Sequence, residues 1–165
     1  MRLTLLLSML TIALTSKAQV ENGAYNLMLK TMLSHSVNEI SVGELAKLKD
    51  AVLLDAREEA EYKVSHLLNA RYVGYDNFNM DSLKNIDKQA TIIVYCSVGY
   101  RSEKIAEKLK SAGFANVSNL YGGIFEWVNQ GNQVVDSNEN KTNNVHAYNK
   151  TWGIWLNKGN KVYEP

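Results

Sequence analysis

One cysteine in 165 residues removes a class of architectures at the outset. Cys96 has no partner in its own chain, so no internal disulfide can staple the fold. With no second thiolate, it is also a poor start for a metal site, and none is expected. An excess of one charge is lacking too: 18 Lys and Arg stand against 17 Asp and Glu. A near-neutral chain carries no argument for nucleic acid or an acidic membrane as a partner. Internal repeats and low-complexity tracts are missing. What is left is 45% hydrophobic and 21% charged, ordinary material for one globular domain.

A long apolar run is missing as well. Leu3 to Leu14 is Leu, Met, Ile or Ala at nine of twelve positions, short of the ~20 residues that span a bilayer. It follows Met1-Arg2 and leads to Ser16-Lys17-Ala18, with small residues three before and one before a cut. This is the pattern of a secretory signal peptide over residues 1–18, cleaved after Ala18. The expectation is an exported protein, periplasmic or secreted, with no stable membrane insertion after cleavage. No cysteine follows the run, which excludes lipid attachment there. Cleavage leaves sixteen basic against seventeen acidic residues.

The chemistry concentrates in Thr91 to Gly113. Thr91-Ile92-Ile93-Val94-Tyr95 reads as a short buried strand, and Cys96 follows at its carboxyl end. Apolar Ile105, Ala106 and Leu109 then recur at helical spacing, with Gly113 just past the helix end. A thiol at a helix amino terminus meets unpaired N–H groups and the positive end of the helix dipole, both of which favour the thiolate, the reactive form. Gly99 lets the loop turn with positive φ and aim its N–H groups inward. Arg101 supplies a guanidinium for an anionic substrate, and Ser102 is expected to cap the helix. On its own, a cysteine after an apolar strand is more often a small buried residue than a nucleophile.

Around this stretch the chain alternates strands and helices. Tyr25 to Leu33 forms an N-terminal helix within an extension over residues 19–38. Ser41 and Glu44 have the form of a capping box opening a helix that buries Leu45 and Leu48. Ala51 to Leu54 is a strand covered on both faces, ending at Asp55. Ala56 to Lys63 is a short helix, Ala70 to Val73 a strand, Met80 to Leu83 a helical turn, Val117 to Tyr121 a strand and Ile124 to Asn129 a helix. The expected fold is α/β, a mostly parallel sheet flanked by helices. Ligands gather at the carboxyl ends of such strands, where Asp55 and Cys96 both lie. Asp136 to Asn144 reads as an exposed polar loop. The remainder of residues 136–165 carries Trp152, Ile154, Trp155, Leu156 and Val162, too apolar to stay in water. It is expected to pack on the domain as a β-rich appendage, with a turn at Asn157 to Asn160 between two short strands.

Cys96-Ser97-Val98-Gly99-Tyr100-Arg101-Ser102 resembles the active-site loop of rhodanese-type sulfurtransferases. Val52 to Glu58, with Asp55 and Arg57, resembles the family's strand ending in Asp-x-Arg. Glu61 and His66 to Ala70 resemble its next segment, and Ala112-Gly113-Phe114 through Gly122-Gly123 to Trp127 the stretch after the catalytic helix. The resemblance places a rhodanese-like domain over residues 39–135. It implies that Cys96 takes a sulfane sulfur from a small anionic donor such as thiosulfate and passes it, as a persulfide, to a thiol or cyanide-like acceptor. N–H groups of residues 97–101, from Ser97, Val98, Gly99 and Tyr100 onward, would hold the persulfide, and Arg101 the donor. Asp55, Arg57 and His66 would be supporting residues, and no cofactor is implied. Ser65, Leu68 and Asn69 depart from the usual Gly, Pro and Gly. Two other readings stand beside this one. The first is a non-enzymatic persulfide carrier or sulfur-binding module. The second is a phosphatase or arsenate reductase, whose related loops hold five residues between Cys and Arg where this chain has four.

Overall fold

Residues 19–164 are described by a computed structural model. Helix α1 (Gly23–Met32) begins at Asn22, whose side chain accepts the Tyr25 N–H. Strand β1 (Asn38–Ile40), helix α2 (Val42–Leu45), strand β2 (Val52–Asp55), helix α3 (Glu59–Val64) and strand β3 (Arg71–Tyr72) follow. A 3₁₀ turn (Met80–Leu83) then leads to strand β4 (Thr91–Tyr95), helix α4 (Tyr100–Ser111), strand β5 (Asn116–Leu120) and helix α5 (Gly123–Asn129). Among the described residues, β1 to β5 make one wholly parallel sheet in the order β1-β5-β4-β2-β3. The expected α/β architecture with flanking helices is the one observed.

β4 is the central strand, paired with β2 on one side and β5 on the other. Its alternation serves two cores. Ile93 and Tyr95 pack with Tyr25, Leu29, Leu120 and Phe125 on one face. Ile92 and Val94 pack with Leu54, Ile105, Leu109 and Val117 on the other. Side chains of successive strand residues point oppositely, so a strand buried on both faces must be apolar at every position. That explains the continuous run before Cys96. With neighbours on both sides and helices on both faces, the strand end that carries Cys96 is held rigidly.

Three expectations need correction. The Ser41–Glu44 capping box is present, but α2 lasts one turn, so Leu48 lies beyond its end and is 44% exposed. The segment read as a polar loop contains strand β7 (Lys141–Thr142), paired antiparallel with β6 (Val134–Val135), Val134 opposite Thr142 and Val135 opposite Lys141. The expected pair of strands around Asn157 to Asn160 is different too. Trp152 to Trp155 form a 3₁₀ turn, and β9 (Asn160–Val162) pairs in parallel with β8 (Asn144–His146). A parallel pair cannot be joined by a tight hairpin and needs the longer connection that residues 147–159 provide.

The two terminal segments meet on the face of the sheet that carries Tyr95. Tyr25 of α1 stacks on Trp155 with ring centroids 5.2 Å apart, and its hydroxyl donates to the Gly122 carbonyl at 2.9 Å. Val145, Ala147 and Leu156 are buried in the same core. No helix among the described residues is long and apolar enough to cross a membrane. The proposed signal peptide, residues 1–18, lies outside the described residues.

Candidate active site

Cys96 leaves the end of β4 with 1% exposure and faces the start of the twelve-residue helix α4. The Gly99 N–H donates to its sulfur at 3.1 Å. Gly99 has φ +129, a conformation that a side chain would strain, and it is the N-cap residue just before α4. The helix thus starts at Tyr100 with Gly99 in the cap position, and Ser102 is not its cap as expected. Ser102 sits inside the first turn, its hydroxyl 2.7 Å from Asn119 Oδ1 and 3.1 Å from the Gly99 carbonyl. Asn119 Nδ2 donates to that same carbonyl at 3.0 Å. Asn119, on β5, therefore fixes the Gly99 peptide from behind.

A second clamp comes from α5. The Ile124 N–H donates to the Cys96 carbonyl at 2.9 Å, and the Phe125 N–H to the Ser97 carbonyl at 3.1 Å. A Cβ on Gly123 would lie 2.4 Å from the Cys96 carbonyl oxygen, so only glycine permits this approach. With the Cys96, Ser97 and Gly99 carbonyls tied by α5 and Asn119, the loop is held with the Gly99 N–H on the sulfur. Partial positive charge converges there from the loop and from α4.

Arg101 does not stand free over the thiol. Its Nη1 and Nη2 donate to the two Glu61 oxygens at 2.7 and 2.9 Å, and Nη2 also donates to Ser97 Oγ at 3.0 Å. Ser97 Oγ donates in turn to Glu61 Oε1 at 3.0 Å. Burial works against the guanidinium charge, but the Glu61 hydrogen bonds and the charges of Cys96 and Glu61 raise its pKa. Burial likewise acts to raise the Glu61 carboxyl, yet Arg101 leads a set of partners that hold it below the usual carboxylate range. Arg101 is thus first a brace between α3 and the loop. It also lines the cavity over the thiol, and Nη1 and Nε each keep an N–H beyond these three bonds.

Asp55 and Arg57 form a fully buried pair, Nη2 to Oδ2 at 2.6 Å and Nε to Oδ1 at 3.0 Å, and Arg57 also donates to the Ser65 carbonyl at 2.6 Å. They tie the ends of β2 and α3 and do not line the thiol cavity. His66 is likewise away from the cavity: it stacks on Tyr62, 3.9 Å between centroids, and its backbone bridges to Val135.

The cavity above Cys96 holds about 130 Å³. Its walls are Met32 of α1, Val98, Tyr100, Arg101, and Tyr148 and Trp152 from the C-terminal segment. Tyr148 lies over the Arg101 guanidinium, 5.2 Å from ring centroid to Cζ. Its φ of +64 is rare for a bulky residue and costs of the order of 1–3 kcal/mol, a strain that gathers at functional sites. The Tyr148 N–H donates to His146 Nδ1 at 3.1 Å, and burial lowers the pKa of that imidazole, which favours the neutral ring able to accept. Sequence reasoning missed Asn119, Gly123, Met32, Tyr148 and Trp152 as site residues. The Gly122-Gly123 pair was the one visible signal; the others carry no local pattern that points to a thiol so distant in the chain.

The family model described as Rhodanese-like domain matches residues 41–130. The chain belongs to the rhodanese-like family. A relative named thiosulfate sulfurtransferase GlpE, from Coxiella burnetii, is 31% identical over 96 residues, covering 58% of this chain and 89% of its own. A tRNA uridine(34) hydroxylase from Hamiltonella defensa is 40% identical over 93 residues, or 53% of this chain. That match spans about a quarter (26%) of the hydroxylase's length. Among solved structures, the BH2092 protein from Bacillus halodurans superposes with a TM-score of 0.56 and 26% identity, covering 69% of this chain and 85% of its own. The rhodanese-like match ends before β6, so Tyr148 and Trp152 lie outside it.

Proposed function

We propose that this rhodanese-like chain is a sulfurtransferase that carries sulfur as a persulfide on Cys96. The observation that supports it is the Cys96 sulfur at the start of α4, receiving the Gly99 N–H, in a loop whose carbonyls are tied by α5 and Asn119. Such a cradle stabilises a singly charged terminal sulfur without a base or a metal. In the first half-reaction the Cys96 thiolate attacks the outer sulfur of thiosulfate. A new S–S bond forms, the donor's S–S bond breaks, and sulfite leaves with the bonding electron pair. In the second, an acceptor thiolate or cyanide attacks the outer persulfide sulfur, and the Cys96 thiolate is released. Charge and electrons balance in each step, and no outside oxidant is needed.

Residues 1–18, read as a signal peptide, would place this exchange outside the cytoplasm; an intact mass beginning at Gln19 in protein recovered from the producing cells would support that. The test of the chemistry is the mass of purified protein after thiosulfate. A gain of one sulfur atom on the Cys96 peptide, lost in Cys96→Ser, is the expected result. Protein that gains sulfur only from another protein's persulfide would be a carrier. Aryl phosphate turnover without sulfur gain would favour phosphatase chemistry.

A further inference from the structure

We infer that His146 is a positioning residue that selects the sulfur acceptor: its Nδ1 latches the Tyr148 backbone, which seats the Tyr148 ring over the thiol cavity and bars bulky acceptors from Cys96. This rests on the sulfur-transfer reading above and names how the same site admits its second substrate.

Three observations carry it. First, Tyr148 has the position of a lid. Its ring lines the cavity that holds Cys96, with its centroid 5.2 Å from Arg101 Cζ, and the residue is still 47% exposed. Second, the lid is hinged at one residue. The Ala147 N–H donates to the Val162 carbonyl at 2.8 Å, and the Asn149 carbonyl accepts the Gly153 N–H at 2.8 Å, so the chain is pinned on both sides. The Asn149 N–H donates to the Ala147 carbonyl at 2.8 Å, which makes Tyr148 the centre of a γ-turn. Its φ of +64 gives this turn the rare, strained hand. The common hand, with φ of about −75°, keeps the same bond between 147 and 149 and points the Tyr148 N–H and ring elsewhere. Third, the strained hand has a latch. The Tyr148 N–H donates to His146 Nδ1 at 3.1 Å. His146 is buried on β8, and only a neutral imidazole offers a nitrogen that accepts.

The latch follows the charge of His146. Protonation sets a second N–H against that of Tyr148, and the turn relaxes to its common hand. Burial holds the imidazole below its ordinary pKa; Glu61 on α3 opposes this, while Arg57 ahead of α3 and Arg101 on α4 reinforce it. On β9, Lys161 pairs with Val145, the neighbour of His146, and so lies on the other face of the strand pair. The latch is therefore shut at neutral pH and opens in acid. When shut, the space of about 130 Å³ over the sulfur admits cyanide and excludes a tripeptide thiol. The transfer is unchanged: the acceptor attacks the outer persulfide sulfur, and the Cys96 thiolate leaves with the electron pair.

The experiment loads the full-length protein with sulfur from thiosulfate and follows its discharge to glutathione and to cyanide at about pH 8 and about pH 5, either side of an ordinary histidine pKa. The readout is the rate ratio of glutathione to cyanide, compared between proteins at one pH so that the ionisation of the acceptors cancels. Two variants are the references. His146→Asn keeps an acceptor for the Tyr148 N–H, as an Asx turn, and cannot titrate, so it stays shut. Tyr148→Gly takes the positive φ without strain and has no ring, so it stays open. The parent should match His146→Asn at pH 8 and Tyr148→Gly at pH 5, the two levels differing by about five- to tenfold, the weight of one net hydrogen bond. If His146→Asn lacks the native far-ultraviolet circular dichroism spectrum, the parent's approach to Tyr148→Gly in acid decides alone. A parent that keeps the same ratio to Tyr148→Gly at both pH values overturns the inference while Cys96 sulfur transfer stands. So does a Tyr148→Gly protein with the parent's preference at pH 8. No sulfur on Cys96 from thiosulfate overturns the sulfur-transfer reading instead, and alkylation of Cys96 by N-phenylmaleimide against iodoacetamide then decides the latch by the same comparison.

Discussion

Replacing Glu61 by Gln removes one negative charge from the brace that holds the cysteine loop to α3. In the native protein the Glu61 carboxylate accepts from Arg101 twice, at 2.7 and 2.9 Å, from Ser97 Oγ at 3.0 Å and from the Glu58 N–H at 3.0 Å. Its side chain is 3% exposed and that of Arg101 15%. Breaking a fully buried pair costs about 3–5 kcal/mol. Glutamine can keep one acceptor oxygen, and Arg101 retains some contact with water, so the expected loss is about 2–3 kcal/mol. For a domain of this size that corresponds to a fall in Tm of about 4–12 °C. The pH dependence gives the sign. The folded carboxyl is held below its ordinary range, so its stabilisation is fully present above the unfolded pKa and is lost as pH falls through the folded one. Urea unfolding of both proteins should therefore show the largest gap near neutral pH, narrowing below about pH 4. Acid also charges the buried His146, but that penalty is common to both proteins to first order. A Glu61→Gln protein within 0.5 kcal/mol of the parent, or a gap that does not change with pH, would refute the brace.

Gly123→Ala would drive a methyl to within 2.4 Å of the Cys96 carbonyl oxygen, at a φ of +56. The loop must move, and a displacement near 1 Å can cost ~100-fold in rate; sulfur loading of a folded protein is the readout. Asn119→Ala removes the donor to the Gly99 carbonyl and should cost about 1–2 kcal/mol in urea unfolding, with slower loading. Arg57→Met strands the fully buried Asp55 carboxylate and should cost about 3–5 kcal/mol, most of it recovered in Asp55→Leu/Arg57→Met. If Asp55 and Arg57 acted on the chemistry, sulfur loading would stay low in the double variant even with its stability recovered.

Much of this architecture is legible in local patterns. The apolar run from Thr91 to Tyr95 announces a strand covered on both faces, because such a strand needs apolar residues at every step. The spacing of Cys96, Gly99 and Arg101 announces a loop entering a helix, because positive φ and unpaired N–H groups are local properties. Ser41 and Glu44 mark a helix start for the same reason, though not its length: nothing near Leu48 says that α2 ends after one turn.

Tertiary structure decides what those local groups face. Arg101 reads as a free anion-binding group in sequence, and becomes a brace only because α3 brings Glu61 to it across forty residues. Asn119 and Gly123 are ordinary residues until the sheet order places β5 and α5 behind the cysteine loop. Tyr148 and Trp152 acquire a role only when residues 147–159 cross over and lay them above the thiol. Periodicity and turn chemistry act over a few residues, so sequence alone determined the strand, the loop and the thiol at its end. The charge balance and the apolar walls of the cavity are sums over distant segments, and only folding brings those together.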